Sequence, residues 1–279
     1  MGASGDFKSL REPACGPATG GCRLRPDRTS PDRPIHGGER PEVRFCACGG
    51  RTLVPARPDD MRPSSIDYDD LMHAMLMPRP FAARGWSFEM KMDGFRALAR
   101  RDGGRVDLIS RTGRPLAPAF PDIVGVLKTL PGSWVLDGEL VVMDVGGEHS
   151  LERARRRVAM KLPKTIQAAV LVSPAQLCVF DVLFSHGRDV RSLPLSERRE
   201  ILAALIQSRP GLMRLGWIDE HGDAALAQAR ELDLDGIVGK RDDSPYRRGP
   251  QATWVKIKNP EYSRRGAAPL DERARNNFR

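Results

Sequence analysis

The hexapeptide Glu89 to Gly94, EMKMDG, places a lysine two residues before an Asp-Gly turn, at the end of an alternating apolar run. Lysine is scarce in this chain. Of 45 basic residues only eight are lysines, at 8, 91, 128, 161, 164, 240, 256 and 258. Four of these, Lys91, Lys240, Lys256 and Lys258, fall in short strand-like stretches full of apolar residues. A guanidinium keeps its proton inside a protein, whereas a lysine ammonium can be tuned to lose it. Lys91 is therefore a candidate nucleophile. In TWVKIK the period of two puts Lys256 and Lys258 on one face, where two ammonium groups can stabilise developing negative charge. In LDGEL the same period puts Asp137 and Glu139 on one side.

The elements that must hold these residues are legible as alternation and punctuation. WSFEMK alternates, with Ser87, Glu89 and Lys91 on one face and Trp86, Phe88 and Met90 on the other. FRALARR and RVDLISR read as antiparallel strands joined by tight turns. AFPDIVGVLKTL reads as a short helix stopped by Pro131-Gly132, and WVLDGELVVMD as a strand. A basic helical stretch, LERARRRVAMKL, follows, with Arg153, Arg155, Arg156 and Arg157 expected on a solvated face. QLCVFDVLF is a strand, SERREILAALIQ a helix with Ser196 as N-cap, and DAALAQARELD a further helix. GIVGKR and TWVKIK are the last strands. Strands and helices mix without a strict βαβ rhythm, so the expected class is α+β with largely antiparallel sheets flanked by helices.

The chain has 279 residues, 40% hydrophobic and 29% charged, enough for one large domain or two small ones. Its formal charge of +9 suits a polyanionic partner such as nucleic acid without identifying one. No run approaches the roughly 18 apolar residues that span a bilayer, and the first residues lack a signal-peptide pattern. The expectation is a cytoplasmic protein with no membrane partner. Five cysteines, at 15, 22, 46, 48 and 178, argue against a disulfide framework, and their spacings do not resemble zinc-ligand pairs. Residues 1–60 hold eight prolines and nine glycines, a composition that reads as low order, leaving 61–260 as the domain and 261–279 as a short tail.

Taken in order, EMKMDGFR, SRTG (110–113), LDGEL (136–140), VFDVL (179–183), LDGIVGKR (234–241) and WVKIK (254–258) closely resemble the motifs of the covalent nucleotidyltransferase superfamily. That superfamily comprises ATP-dependent DNA ligases, RNA ligases and capping enzymes, and the resemblance covers about residues 85 to 260. SRTG, FDVL followed by LPLSERR, and SPY before WVKIK look most like bacterial ATP-dependent DNA ligases. The resemblance implies an ATP-grasp-like nucleotidyltransferase domain that forms lysyl-AMP on Lys91 and seals nicks in double-stranded DNA during repair or recombination. It implies that Glu89 meets the adenine amino group, Arg96 the ribose, and Arg111 the phosphates or nicked DNA. Phe180 would stack on the purine, and Lys256 and Lys258, joined by Lys240, would flank the α-phosphate. Glu139 would contact ribose or metal, and Asp235 the same Mg2+.

Each residue also has a plain structural reading. Phe180 in an apolar strand is by default a core residue, and Asp93 and Asp137 before glycine can simply shape turns. Two departures stand out. Asp235 occupies a position where the family usually carries glutamate, one methylene longer. Only 21 residues follow Lys258, too few for the OB-fold that most members append, so a partner protein supplying an OB-fold or end-binding function is an expected associate. The rival readings are an RNA ligase or capping-type nucleotidyltransferase, and a non-catalytic relative that binds nucleotide or DNA.

Overall fold

Period-two runs of aliphatic and aromatic residues become strands here, and the Gly-rich dipeptides between them become turns. The structure, a computed structural model, describes residues 62–143 and 151–263. All belong to the compact unit Val54–Arg279; the other unit, Met1–Leu53, lies outside the described residues, as do the expectations for residues 1–60, most of the tail and four of the cysteines. In chain order the elements are β1 (Met72–Leu76), β2 (Ala82–Met90), β3 (Phe95–Asp102), β4 (Arg105–Ser110), α1 (Pro121–Leu127) and β5 (Trp134–Val142). They continue with α2 (Leu151–Ala159), α3 (Pro163–Val172), β6 (Ala175–Ser185), β7 (Arg188–Asp189) and α4 (Leu195–Leu205). The last are β8 (Leu212–Arg214), β9 (Trp217–His221), α5 (Gly222–Glu231), β10 (Gly236–Arg241) and β11 (Gly249–Lys258).

The strands form two sheets. Sheet one has the order β1-β11-β10-β2-β9, and sheet two the order β4-β3-β5-β6-β7 with β8 beside β6. Pairing is antiparallel except for β1 with β11 and β6 with β8, as the mixed α+β reading expects. The alternation seen in sequence sets which face each sheet buries. On the back of sheet one, Phe88, Ile237 and Ile257 pack with Ala225, Leu226 and Ala229 of α5. On the outer face of sheet two, Ala97, Leu136 and Val182 pack against Ile123 and Leu127 of α1 and Leu202 of α4. The two inner faces meet in a smaller cluster in which Leu98, Val135 and Leu183 of sheet two contact Trp254 of sheet one, with Leu71 and Tyr246.

Several local expectations are corrected. Ser196 is not the N-cap of α4. That position belongs to Pro194, and the Ser196 N–H donates to the carbonyl of Asp242, so a main-chain contact serves in place of a side-chain cap. Arg157 is not on a solvated face: it is 1% exposed. Its guanidinium donates to the carbonyls of Ala119 and Ser173 and to Asp122, which locks α2 onto the start of α1. Arg156 is exposed and pairs with Glu152, as a surface residue would. Asp137 shapes no turn, because it lies inside β5 and is fully buried. Of the basic stretch only Leu151–Ala159 is helical, as α2, and a further helix, α3, starts just beyond it on Pro163, where a fixed φ suits the first helical position.

Candidate active site

Strand register, extended by one backbone hydrogen bond, brings all four strand lysines to one face. In sheet one Lys240 pairs with both Ser87 and Trp254, and Val238 with both Glu89 and Lys256. One step further, Gly236 pairs with Lys258 and its carbonyl accepts the Lys91 N–H at 2.9 Å. Directly opposed residues share a face. The front of sheet one therefore presents three rows: Ser87, Lys240 and Trp254; Glu89, Val238 and Lys256; and Lys91, Gly236 and Lys258. Gly236 has φ +141, and a Cβ there would lie 2.0 Å from the Ile257 carbonyl oxygen. Only glycine allows this close approach, and it leaves no side chain between Lys91 and Lys258. Gly94 closes the other side of the Lys91 loop, since a Cβ there would lie 2.3 Å from the Leu140 carbonyl oxygen of β5.

These rows line a cleft of about 560 Å³ whose other wall is sheet two. That volume falls among small-molecule sites. Arg96, Arg111, Glu139 and Phe180 also line it, so every site residue expected from sequence borders the same cavity. Lys91 Nζ pairs with Asp235 Oδ2. Arg96 donates to both oxygens of Asp137, at 2.9 and 2.6 Å, and the Tyr246 hydroxyl donates to the same carboxylate at 2.7 Å. Burial together with the Asp137 charge pushes the Tyr246 phenol well above its usual range, so it remains a donor. Glu139 lies opposite Arg96 in the β3/β5 register. Burial pushes its carboxyl up to about 7, against the pull of Lys91 and Arg96. Burial lowers Lys256, with help from the charges of Lys91 and Lys258.

The third group is buried and fully engaged. Glu89, 3% exposed, accepts from Arg199 of α4 at 2.8 Å and pairs with Lys240 at 2.7 Å. The Lys240 ammonium lies 4.4 Å from the Phe180 ring centre and 4.1 Å from that of Trp254, and burial lowers its pKa. Lys240 thus serves Glu89 rather than the Lys91 row. Phe180 packs edge-on to Trp254 at the inner cluster and also lines the cleft. Asp93 accepts from the Tyr262 hydroxyl at 2.7 Å. Sequence reasoning missed His73, Trp254, Arg199 and Tyr246. His73 lines the cleft, and burial with the Arg96 and Arg111 charges depresses its pKa. The Arg198-Arg199 doublet was visible in LPLSERR, but nothing local shows what either guanidinium reaches.

A lysine amine paired to a carboxylate, with two further ammonium groups on a nearby strand of the same sheet face, in a cleft between two sheets, has the features of a site for covalent chemistry on an anionic ligand. The chain belongs to the ATP dependent DNA ligase domain family, whose model matches residues 72–258. It is 29% identical over 194 residues to the SPbeta prophage-derived DNA ligase-like protein LigB of Bacillus subtilis, covering 69% of this chain and 67% of that protein. It is 32% identical over 177 residues to the multifunctional non-homologous end joining protein LigD of Pseudomonas aeruginosa, covering 62% of this chain but 20% of that protein. Among solved structures, mycobacterial DNA ligase D complexed with ATP and MES aligns with a TM-score of 0.57 and 28% identity, covering 69% of this chain and 62% of that one. Among the described residues no helix is long and apolar enough to cross a membrane.

Proposed function

We propose that this chain is the adenylation domain of an ATP-dependent DNA ligase acting in repair or recombination, with Lys91 as the residue that carries AMP. The observation that supports this most directly is the row Lys91, Gly236 and Lys258, with Lys256 in the next row and Asp235 on the Lys91 amine. It sets a nucleophile beside two cations, across β10, that suit a phosphate. In the first step the Lys91 Nζ lone pair attacks the α-phosphorus of ATP. The bond from that phosphorus to the bridging oxygen breaks, pyrophosphate leaves with the electron pair, and Nζ sheds its proton to solvent. Lys256 and Lys258 stabilise the charge that builds on the α-phosphate oxygens. Phe180 offers its ring to the purine, Glu89 accepts from the base amine, and Arg96, held by Asp137, faces the ribose. Arg111 meets the phosphates or the DNA. The 5′-phosphate at a nick then takes the AMP, and the neighbouring 3′-hydroxyl displaces it, which divides one difficult condensation into three easier steps.

Glu139 and Asp235 fit a magnesium ion. Among the described residues no group of three or more His, Cys, Asp or Glu is arranged to cage a metal. Magnesium commonly takes only one or two protein carboxylates and completes its shell with phosphate oxygens and water. When bound, the ion would neutralise phosphate charge. The net charge of +9 suits nicked duplex DNA as the partner. The test is to incubate the protein with ATP, GTP or NAD carrying a label that stays with the transferred nucleotide. A covalent adduct from ATP alone is expected. An adduct only from GTP would move the chain to the capping-type reading, and no adduct from any of them would leave a non-catalytic relative.

A further inference from the structure

The start of α4 carries two consecutive arginines that reach in different directions. Arg198 donates to both oxygens of Asp181 in sheet two, at 2.7 and 2.9 Å. Arg199 turns to sheet one, where it is 7% exposed and gripped on every side. One terminal nitrogen donates to Ser87 Oγ at 2.6 Å and Asp242 Oδ1 at 3.1 Å, and the other to Glu89 Oε1 at 2.8 Å. The Trp217 ring centre lies 4.1 Å from its central carbon, so the plane as well as the edge of the guanidinium is fixed.

We propose that Arg199 is the positioning residue that sets the base selectivity of this site, by holding the Glu89 carboxylate as a hydrogen-bond acceptor for the exocyclic amine of adenine. The inference deepens the ATP reading above and rests on it. Glu89 receives one donor on each oxygen, from Arg199 and from Lys240. A carboxylate offers about four lone-pair sites, so acceptor capacity remains for the ligand. With both oxygens already facing cationic donors, it meets a ligand as an acceptor. An amine at position 6 of a purine finds a partner there, whereas the oxygen of a 6-oxo purine meets another acceptor. Lys240 alone would leave Glu89 tethered on one oxygen and free to swing. Arg199 supplies the second tether and is itself immobilised by Ser87, Asp242 and Trp217. A site built to satisfy a substrate donor discriminates strongly against an analogue that lacks it.

The test compares covalent labelling of the full chain by ATP and by purine riboside triphosphate, which lacks the 6-amino group. The parent protein should favour ATP. Arg199→Met should reduce that preference about 10- to 100-fold, the range expected for a hydrogen bond involving a charged group, with the loss appearing mainly in KM for ATP. Arg199→Lys, which keeps a cation within reach of one partner, should restore part of it. If both nucleotides lose equally and the ratio is unchanged, Arg199 is only structural and the proposal is overturned. Should Arg199→Met not fold, Trp217→Leu, at a position 38% exposed, removes the ring beneath the guanidinium and should shift the ratio in the same direction; an unchanged ratio overturns the proposal there too. A parent chain unlabelled by ATP overturns the proposed function itself. A labelled parent chain without preference overturns the Glu89 contact and this inference with it.

Discussion

Lys91 and Asp235, 144 residues apart in the chain, meet as an ion pair inside the cleft. The meeting is a consequence of backbone register. The Lys91 N–H is bonded to the Gly236 carbonyl, so the residue just before Gly236 is delivered beside the lysine side chain. Both side chains keep partial access to solvent, at 26% and 19%, so the pair can open to admit a ligand.

Replacing Lys91 by arginine keeps a cation for Asp235 but removes any usable nucleophile. Lys91→Arg should hold its thermal midpoint within about 2 °C of the parent, given how small a change in a surface-accessible pair is worth. Covalent labelling from ATP should disappear. An adduct that persists in this variant would place the nucleophile elsewhere.

Asp235 is expected to contribute through its carboxylate rather than through turn geometry. Asp235→Ala should slow adenylation roughly 10²- to 10³-fold, the scale of losing one preorganised electrostatic contact. Asp235→Glu should retain or improve the rate at limiting magnesium. Single-turnover labelling across a magnesium series checks both, and an alanine variant as fast as the parent would reduce Asp235 to a turn residue.

Arg198 and Asp181 are both fully buried and make a two-bond pair. Removing one partner strands the other, at a cost of about 3–5 kcal/mol. For a domain of this size the thermal midpoint of Arg198→Ala should fall by roughly 10 °C. Arg198→Met combined with Asp181→Leu should recover part of the loss. Thermal and denaturant unfolding measure it, and a midpoint unchanged by Arg198→Ala would show that the pair does not hold α4 to sheet two.

Glu139 makes stability depend on pH in the ligand-free protein. Its carboxyl is raised by burial to about 7, above its ordinary 4.5, so between those values the folded state holds a proton that the unfolded state has released. Stability should therefore be full below about pH 4.5 and decline as pH rises toward 7, by at most about 3 kcal/mol. Glu139→Gln should abolish that decline. Urea midpoints measured from pH 5 to 8 would show it, and parallel curves for the parent and variant would contradict the assignment.

The chain's local chemistry was legible without coordinates wherever it follows a period. Alternation in WSFEMK and WVKIK predicted which residues share a face, and the strands at 82–90 and 249–258 carry Glu89, Lys256 and Lys258 on the face expected. The scarcity of lysine singled out Lys91, and the ordered motifs pointed to the family that the chain proves to match. What no period encodes is which strand lies beside which. Strand β1 reads too short and irregular to be found from its own residues, yet it pairs parallel to β11 and brings His73 to the cleft. The partners of charged side chains were equally hidden. Arg157 stands in a basic helix that looks solvated and Arg199 in a helix of mixed charge, and both are buried because distant carbonyls and carboxylates meet their donors. Asp137 and Lys240 changed role for the same reason. A buried charge is tolerated only where the fold supplies a counter-charge and hydrogen bonds, and those come from residues that become neighbours only when the two sheets close on each other.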